Sequence, residues 1–165
     1  LLPDVLVDCE GLAEDLSVMV DAYHTSGVAQ IMVEEVPAER VDQYGIVALK
    51  GGVPSPGESA AMTAVVEKPA VEHAPSRLSV VGRYVLPGEI MAILAETPPG
   101  AGDEIQLTDA IAMLMKQETV NAFNITGKSH DCGSKLSYML ANVEYGLRHP
   151  GIGDRFRAAL QKMEF

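Results

Sequence analysis

The sequence predicts an α/β fold, because strand-like and helix-like segments follow one another along the chain. Residues 1–7 read as the end of a buried strand, and residues 30–36 read as a second strand. Between them, apolar side chains recur at helical spacing at Leu12, Leu16, Met19, Val20 and Tyr23. Gly27 follows where a helix stop is expected. A strand, helix, strand order is typical of α/β folds.

The rest of the chain continues this alternation. Further strands are predicted at residues 45–49, 62–67, 78–86 and 120–125. Helices are predicted at residues 87–95 and 108–116, the second with Thr108 or Asp109 as its cap, and over the apolar stripes from Leu136 to Leu147 and from Phe156 to Met163. The turn-rich residues 50–60 read as an exposed loop, and the polar, Pro-containing residues 69–77 as an excursion between core strands.

Composition limits the possible partners. A chain of 165 residues with 47% hydrophobic and 21% charged residues fits one globular domain, which we place at residues 1–165. The net charge of -11 argues against nucleic acids and anionic membranes, since phosphate binding needs clustered Lys and Arg. An anionic ligand would therefore need a metal or a few well-placed cations.

The same sequence favours a soluble cytoplasmic protein. Its apolar runs are too short to span a bilayer, and no signal peptide opens the chain. Cys9 and Cys132 show no metal-type spacing and are expected to be reduced thiols. The first residue is Leu1, without an initiator Met, and leads straight into a strand, so we expect that polypeptide is missing upstream.

Two acidic residues are candidate metal ligands. Asp4 sits at the apparent carboxyl end of the first strand, where open α/β sheets place ligands, and Asp131 lies between the strand at residues 120–125 and a helix. Two such carboxylates suit Mg2+, although a turn or helix-capping Asp is the alternative for each. The neighbouring His130 is expected to be structural, since no partnered nucleophile is apparent.

A second group of residues could hold a sugar phosphate. Glu67 and Lys68 leave the strand at residues 62–67 side by side, so Glu67 could bind hydroxyl groups and Lys68 a phosphate. A solvated strand end is the alternative. Gly45, after Tyr44, would let the backbone approach a ligand closely, or it is a simple turn. No nucleophile elbow, Walker loop or dinucleotide fingerprint occurs.

The order and wording of several stretches resemble bacterial UTP:glucose-1-phosphate uridylyltransferases (UDP-glucose pyrophosphorylases), in their carboxy-terminal half. The stretches are LPDV at 2–5, QIMVEEVP at 30–37, QYGIV at 43–47, VVEKP at 65–69, APSRLSVVGRYVL at 74–86, TPPGAGDEIQLTDAI at 97–111, GKSHDCGSKL at 127–136 and VEYGLRH at 143–149. The resemblance covers essentially the whole chain. It implies a Rossmann-like nucleotidyltransferase fold, with a mixed central sheet flanked by helices and without its amino-terminal half.

The resemblance also implies roles for individual residues. Asp4 and Asp131 would lie around a catalytic Mg2+, Glu67 would bind glucose hydroxyls, Lys68 would hold the sugar phosphate, and Gly45 would contact the sugar through its backbone. The implied reaction is attack of a glucose 1-phosphate oxygen on the α-phosphorus of UTP, which yields UDP-glucose and releases pyrophosphate. The implied assembly is a homo-oligomer, a dimer or a tetramer, packed through carboxy-terminal helices. Packing within the chain's own core is the alternative for either helical stripe, at Leu136 to Leu147 or at Phe156 to Met163.

The chain departs from this family in one large respect. The glycine-rich loop, Arg and Lys that cradle the triphosphate and the residues that read uracil have no counterpart here, so we expect the chain alone to be inactive, with unpaired strand edges and exposed apolar faces. Two other functions stay open: a nucleotidyltransferase that forms dTDP- or ADP-glucose, and a truncated, non-catalytic module that binds sugar phosphate or mediates assembly.

Overall fold

A computed structural model describes residues 2–9 and 14–163 of the chain. The contacts of these residues group into two compact units, and a single domain stays a prediction. The first unit comprises Leu2, Cys9 and residues 14–128, and the second comprises residues 3–8 and 129–163.

The helices and strands alternate largely as the sequence predicts. Among the described residues, strands β1 to β7 occupy Val5–Asp8, Ala29–Glu35, Gly45–Leu49, Ser59–Glu67, Leu78–Val85, Val120–Asn124 and Lys128–Asp131. Helices α1 to α5 occupy Asp15–Ser26, Ile90–Glu96, Leu107–Leu114, Lys135–Arg148 and Gly153–Leu160. Short 3-10 turns lie at Ala38–Gln43, Val71–His73 and Ala101–Asp103. No helix within the described ranges combines the length and the apolar character needed to cross a membrane.

The first unit is built on a mixed sheet, as predicted. The strand order is β2-β5-β3-β4-β6, and the sheet closes on itself because β6 runs parallel to β2 and antiparallel to β4. Each of these strands is therefore paired on both sides. The predicted unpaired edges were wrong for this sheet, since closure removes edges without any further polypeptide.

The core of this unit explains why the centre of β2, from Ile31 to Val33, is apolar. Ile31 and Val33 are fully buried in one cluster with Ile93 of α2 and Ile111 of α3. Met32, which points to the opposite face because strand side chains alternate, is also buried. A strand buried on both faces gains stability from every apolar side chain along it, at about 25 cal/mol per Å² of apolar surface.

Hydrogen bonds hold both ends of helix α1 in place. Both carboxylate oxygens of the buried Asp15 accept hydrogen bonds from Thr126, at 2.9 Å from the backbone N–H and 2.8 Å from the hydroxyl. At the other end, Gly27 adopts a left-handed φ of 70° and donates its N–H to the Tyr23 carbonyl. The predicted helix is confirmed, although Leu12 lies outside the described residues.

The second unit pairs β1 with β7 and carries α4 and α5. Helices α4 and α5 approach closely at Gly146, where an added Cβ would lie 2.7 Å from a ring carbon of Phe156. Arg148, at the end of α4, pairs with the buried Asp8 of β1 and stacks on Tyr145, 5.0 Å from the ring centroid. These contacts join β1 to α4, so the unit is held together across 140 residues of sequence.

Two local predictions were wrong. Residues 1–7 do not form a buried strand ending at Asp4: among the described ones, Leu2 is exposed and Asp4 lies in a turn before β1. The N-cap of α3 is Gln106, without a side-chain hydrogen bond, instead of Thr108 or Asp109. In both cases tertiary contacts decide the local geometry: Leu2 donates its N–H to Gly82, and Thr108 turns towards β4.

Candidate functional site

Gly45, Glu67 and Lys68 come together in the first unit because β3 and β4 form an antiparallel pair. The register places Gly45 opposite Glu67, and the Lys68 N–H donates to the Tyr44 carbonyl at 3.0 Å. The Lys68 ammonium lies 3.9 Å from Oε1 of Glu67. The Lys68 side chain is 55% exposed and that of Glu67 only 15%, so the cation is accessible while the carboxylate is held in place.

Lys68 itself has an unusual backbone. Its φ of +44° is in the left-handed region, which costs a residue with a Cβ roughly 1 kcal/mol or more. The next residue is Pro69, which restricts the conformation of Lys68 further. The pairing of Lys68 with Tyr44 thus maintains a turn that a free peptide would avoid, and this turn brings the ammonium beside Glu67.

Thr108 completes this group from α3. Its hydroxyl donates to Oε2 of Glu67 at 2.5 Å. A Cβ on Gly45 would stand 3.2 Å from the same oxygen and 3.4 Å from Cγ2 of Thr108. Glycine therefore lets the β3 backbone, the carboxylate and the threonine meet without a clash.

The Glu67 carboxylate also affects the pKa of Tyr84, on β5. Burial raises the pKa of the Tyr84 phenol to about 12, and the negative charge of Glu67 adds to the shift. At neutral pH this phenol stays protonated. The surroundings of Glu67 thus include an accessible ammonium, a threonine hydroxyl and a neutral tyrosine, of which the ammonium is suited to an anionic ligand.

Asp4 and Asp131 meet in the second unit, around Gly133. A Cβ on Gly133 would lie 3.0 Å from Oδ2 of Asp4 and 3.1 Å from Oδ1 of Asp131, so both oxygens face the space that glycine leaves open. The backbone fixes the pair, because the Cys132 N–H donates to the Asp4 carbonyl at 2.7 Å. The Gly133 N–H also donates to Oδ1 of Asp131. This is the turn-type contact that the sequence offered as the alternative role of Asp131.

This carboxylate pair fits Mg2+ better than a metal that needs a protein cage. Within the described ranges, no cluster of three or more His, Cys, Asp or Glu side chains could hold a metal ion. Mg2+ commonly uses only one or two protein carboxylates and takes its other ligands from phosphates and water. Two carboxylate oxygens that lie 3.0 and 3.1 Å from the Cβ position of Gly133 could supply these protein ligands.

His130 lies next to Asp131 on β7, in a structural environment. The imidazole is 7% exposed, and its Nε2 is buried without a hydrogen bond, 3.7 Å from the Glu144 carboxylate. The ring also packs against Tyr145, with centroids 5.9 Å apart. Since it faces α4, His130 secures β7 to that helix.

The structure thus assembles two of the predicted groups, Gly45 with Glu67 and Lys68, and Asp4 with Asp131. That all of them act in one site stays a prediction. Sequence reasoning missed Thr108 and Tyr84. Thr108 lies inside the quoted stretch QLTDAI and Tyr84 inside VVGRYVL, but only the fold shows that both approach Glu67.

Comparison with known proteins shows the family to which the chain belongs. Residues 5–146 match the family model described as nucleotidyl transferase. The UTP--glucose-1-phosphate uridylyltransferase of Escherichia coli (strain K12) is 53% identical over 165 residues, which cover 98% of this chain and 54% of that protein. The chain therefore spans about half the length of the curated relatives it matches.

Two solved structures have a fold similar to that of this chain. A UTP-bound UGPase from Acinetobacter baumannii superposes with a TM-score of 0.89 at 53% identity, over 99% of this chain and 55% of that one. A UDP-glucose pyrophosphorylase complexed with UDP-glucose superposes with a TM-score of 0.81 at 35% identity, over 87% of this chain and 53% of that one.

Proposed function

Because the chain belongs to the nucleotidyl transferase family, we propose that the intact protein is a cytoplasmic enzyme that transfers a uridylyl group from UTP to glucose 1-phosphate. The relatives that share about half their length with this chain are named for this reaction. The observation that carries the proposal is the pairing of an accessible Lys68 ammonium with a Glu67 carboxylate held beside Gly45. A hexose phosphate presents a phosphate and hydroxyl groups, which this pair can bind together.

In the proposed reaction the protein positions two anions and forms no covalent bond. An oxygen of glucose 1-phosphate attacks the α-phosphorus of UTP, the bond from that phosphorus to the bridging oxygen breaks, and pyrophosphate leaves with the electron pair. The Lys68 ammonium offsets the charge of the sugar phosphate while Glu67 accepts hydrogen bonds from the sugar hydroxyls. Catalysis then comes from orientation and charge stabilisation.

Asp4 and Asp131 are the residues that would hold Mg2+, and the Gly133 N–H holds one oxygen of Asp131. A bound Mg2+ would neutralise charge on the crowded phosphate oxygens. With a cation bound beside them, the two carboxylates would let an acidic protein accept anionic substrates.

Titration with glucose 1-phosphate tests the sugar-phosphate group. We expect saturable binding by the chain and a loss of roughly tenfold or more in the Lys68→Ala variant, since a charged hydrogen bond contributes about 1.5–3 kcal/mol. The matched control is Lys50→Ala, which removes another exposed lysine of the first unit. Absence of binding, or equal binding by Lys68→Ala, would leave only an assembly module.

Turnover with different nucleotides tests the uridylyl donor. We expect the intact protein to release pyrophosphate with UTP faster than with dTTP or ATP when glucose 1-phosphate is present. A preference for dTTP or ATP would instead make the protein a thymidylyl- or adenylyltransferase of the same fold.

We also propose that the protein is a homo-oligomer, a dimer or a tetramer. The outer face of α4 exposes Leu136, Met139 and Leu140 at 52–70% of their surface, and Tyr138 lines an open cavity of about 540 Å³ in the same unit. Apolar faces of this kind are commonly covered by another subunit. Sedimentation of the intact protein should show more than one copy, and a monomer at all concentrations would contradict the proposal.

A further inference from the structure

The Thr108 contact separates the two oxygens of the Glu67 carboxylate. Oε2 accepts the threonine hydroxyl at 2.5 Å, and Oε1 faces the Lys68 ammonium at 3.9 Å. The first contact is a short hydrogen bond to a charged acceptor, and the second is a looser ion pair on the exposed side. A ligand that approaches Lys68 therefore meets one defined face of the carboxylate.

The groups around Glu67 come from four different elements. Gly45 stands opposite it on β3, Lys68 follows directly after the end of β4, Thr108 reaches it from α3, and Tyr84 of β5 is affected by its charge. Of these, Thr108 makes the one side-chain hydrogen bond to Glu67 that the described residues record. A glutamate side chain has three rotatable bonds, and fixing it costs about 1–2 kcal/mol of conformational entropy.

We infer that Thr108 is a positioning residue for sugar binding: its hydroxyl holds the Glu67 carboxylate in the orientation that accepts hydrogen bonds from the hexose. This inference rests on the proposed function. It assigns Thr108 no contact with the sugar itself. Because Thr108 donates its single hydroxyl proton to Glu67, the Glu67 side chain is already ordered before the ligand binds. Binding then costs less conformational entropy.

Substitution at position 108 tests the hydroxyl apart from the shape of the side chain. Thr108→Val keeps the branched shape and removes the donor, whereas Thr108→Ser keeps the donor. With glucose 1-phosphate we expect Thr108→Val to bind roughly tenfold more weakly, and Thr108→Ser to bind within a factor of about two of the unaltered chain. If Thr108→Val does not fold, Thr108→Ala replaces it, as judged by thermal unfolding.

Inorganic phosphate is the probe that separates positioning from general damage. Phosphate engages Lys68 without sugar hydroxyls, so Thr108→Val should bind it as the unaltered chain does. Equal losses for phosphate and glucose 1-phosphate, or no loss for either, would overturn the inference while the proposed function stands. If the unaltered chain binds phosphate but gains nothing from the sugar, the proposed function fails and the inference fails with it.

Discussion

Gly133 lies beside two carboxylates, and its lack of a side chain affects where they can lie. Its missing Cβ leaves the space into which one oxygen each of Asp4 and Asp131 points. Its backbone does not need the left-handed conformation, so alanine fits the chain but not the space. The carboxylates would have to move apart by a few tenths of an ångström, which disturbs a shared ligand more than it disturbs the fold.

We therefore predict that Gly133→Ala weakens divalent-cation binding roughly tenfold, as changes beside metal ligands commonly do. Mn2+ titration followed by water proton relaxation measures this. Gly88→Ala is the control, because a Cβ there meets no atom within 4 Å. Unchanged Mn2+ affinity in Gly133→Ala would mean that the two acids do not share a cation.

Tyr84 gives a prediction about alkaline stability. Its pKa is about 12 in the folded chain against 10.0 for the free side chain, so between these values the folded state retains a proton that the unfolded state loses. The contribution is present below pH 10 and is lost as the pH rises through 12, up to about 2–3 kcal/mol.

We expect the free energy of unfolding to fall more steeply between pH 10 and 12 in the unaltered chain than in Tyr84→Phe, which has no proton to lose. Urea denaturation at pH 8, 10 and 11.5 compares the two proteins. Parallel curves would show that the folded chain does not protect this phenol.

At the level of elements, α4 and α5 are in close contact. A Cβ on Gly153 would lie 2.6 Å from the carbonyl oxygen of Leu147, a backbone atom that cannot swing away. We predict that Gly153→Ala destabilises the second unit by about 1–3 kcal/mol, the usual cost of overpacking. Hydrogen exchange of the α4 amides should report the loss, while the amides of β2 to β6 keep their protection. Gly52→Ala, in open space, is the control.

The sequence anticipated most elements because their patterns are local. The apolar spacing before Gly27 and the turn-rich residues 50–60 carry their own signals for α1 and for the β3-β4 connection, although β4 already begins at Ser59. Strand β7 was not anticipated, since its KSHD sequence has no apolar alternation and it forms only by pairing with β1. Closure of the sheet could not be predicted from local patterns either, because the paired residues of β2 and β6 lie about ninety residues apart in sequence.

The candidate site was foreseen in its charged residues but not in their supports. Glu67, Lys68, Asp4 and Asp131 stand out as charges beside apolar strands, and the resemblance to a family gave them roles. Thr108 and Tyr84 were missed, because a threonine near a helix start also fits a cap and a tyrosine in a strand also fits the core. Such residues gain a role only through neighbours distant in sequence.

For the whole molecule, the prediction concerns activity. The chain spans about half the length of the curated relatives it matches. We expect the 165-residue polypeptide alone to release no pyrophosphate from UTP and glucose 1-phosphate in a coupled assay, even where it binds the sugar phosphate. Turnover near that of a full-length relative would show that these residues suffice for nucleotide binding.

Closure of the sheet through β6 also sets the timing of folding on the ribosome. Strands β2 to β5 are synthesised first, but β2 and β4 each keep one open side until Val120–Asn124 has left the exit tunnel. A nascent chain stalled shortly before that point would expose one unpaired edge of β2 and one of β4 to neighbouring chains. One short segment near residue 120 thus converts an aggregation-prone intermediate into a self-contained unit.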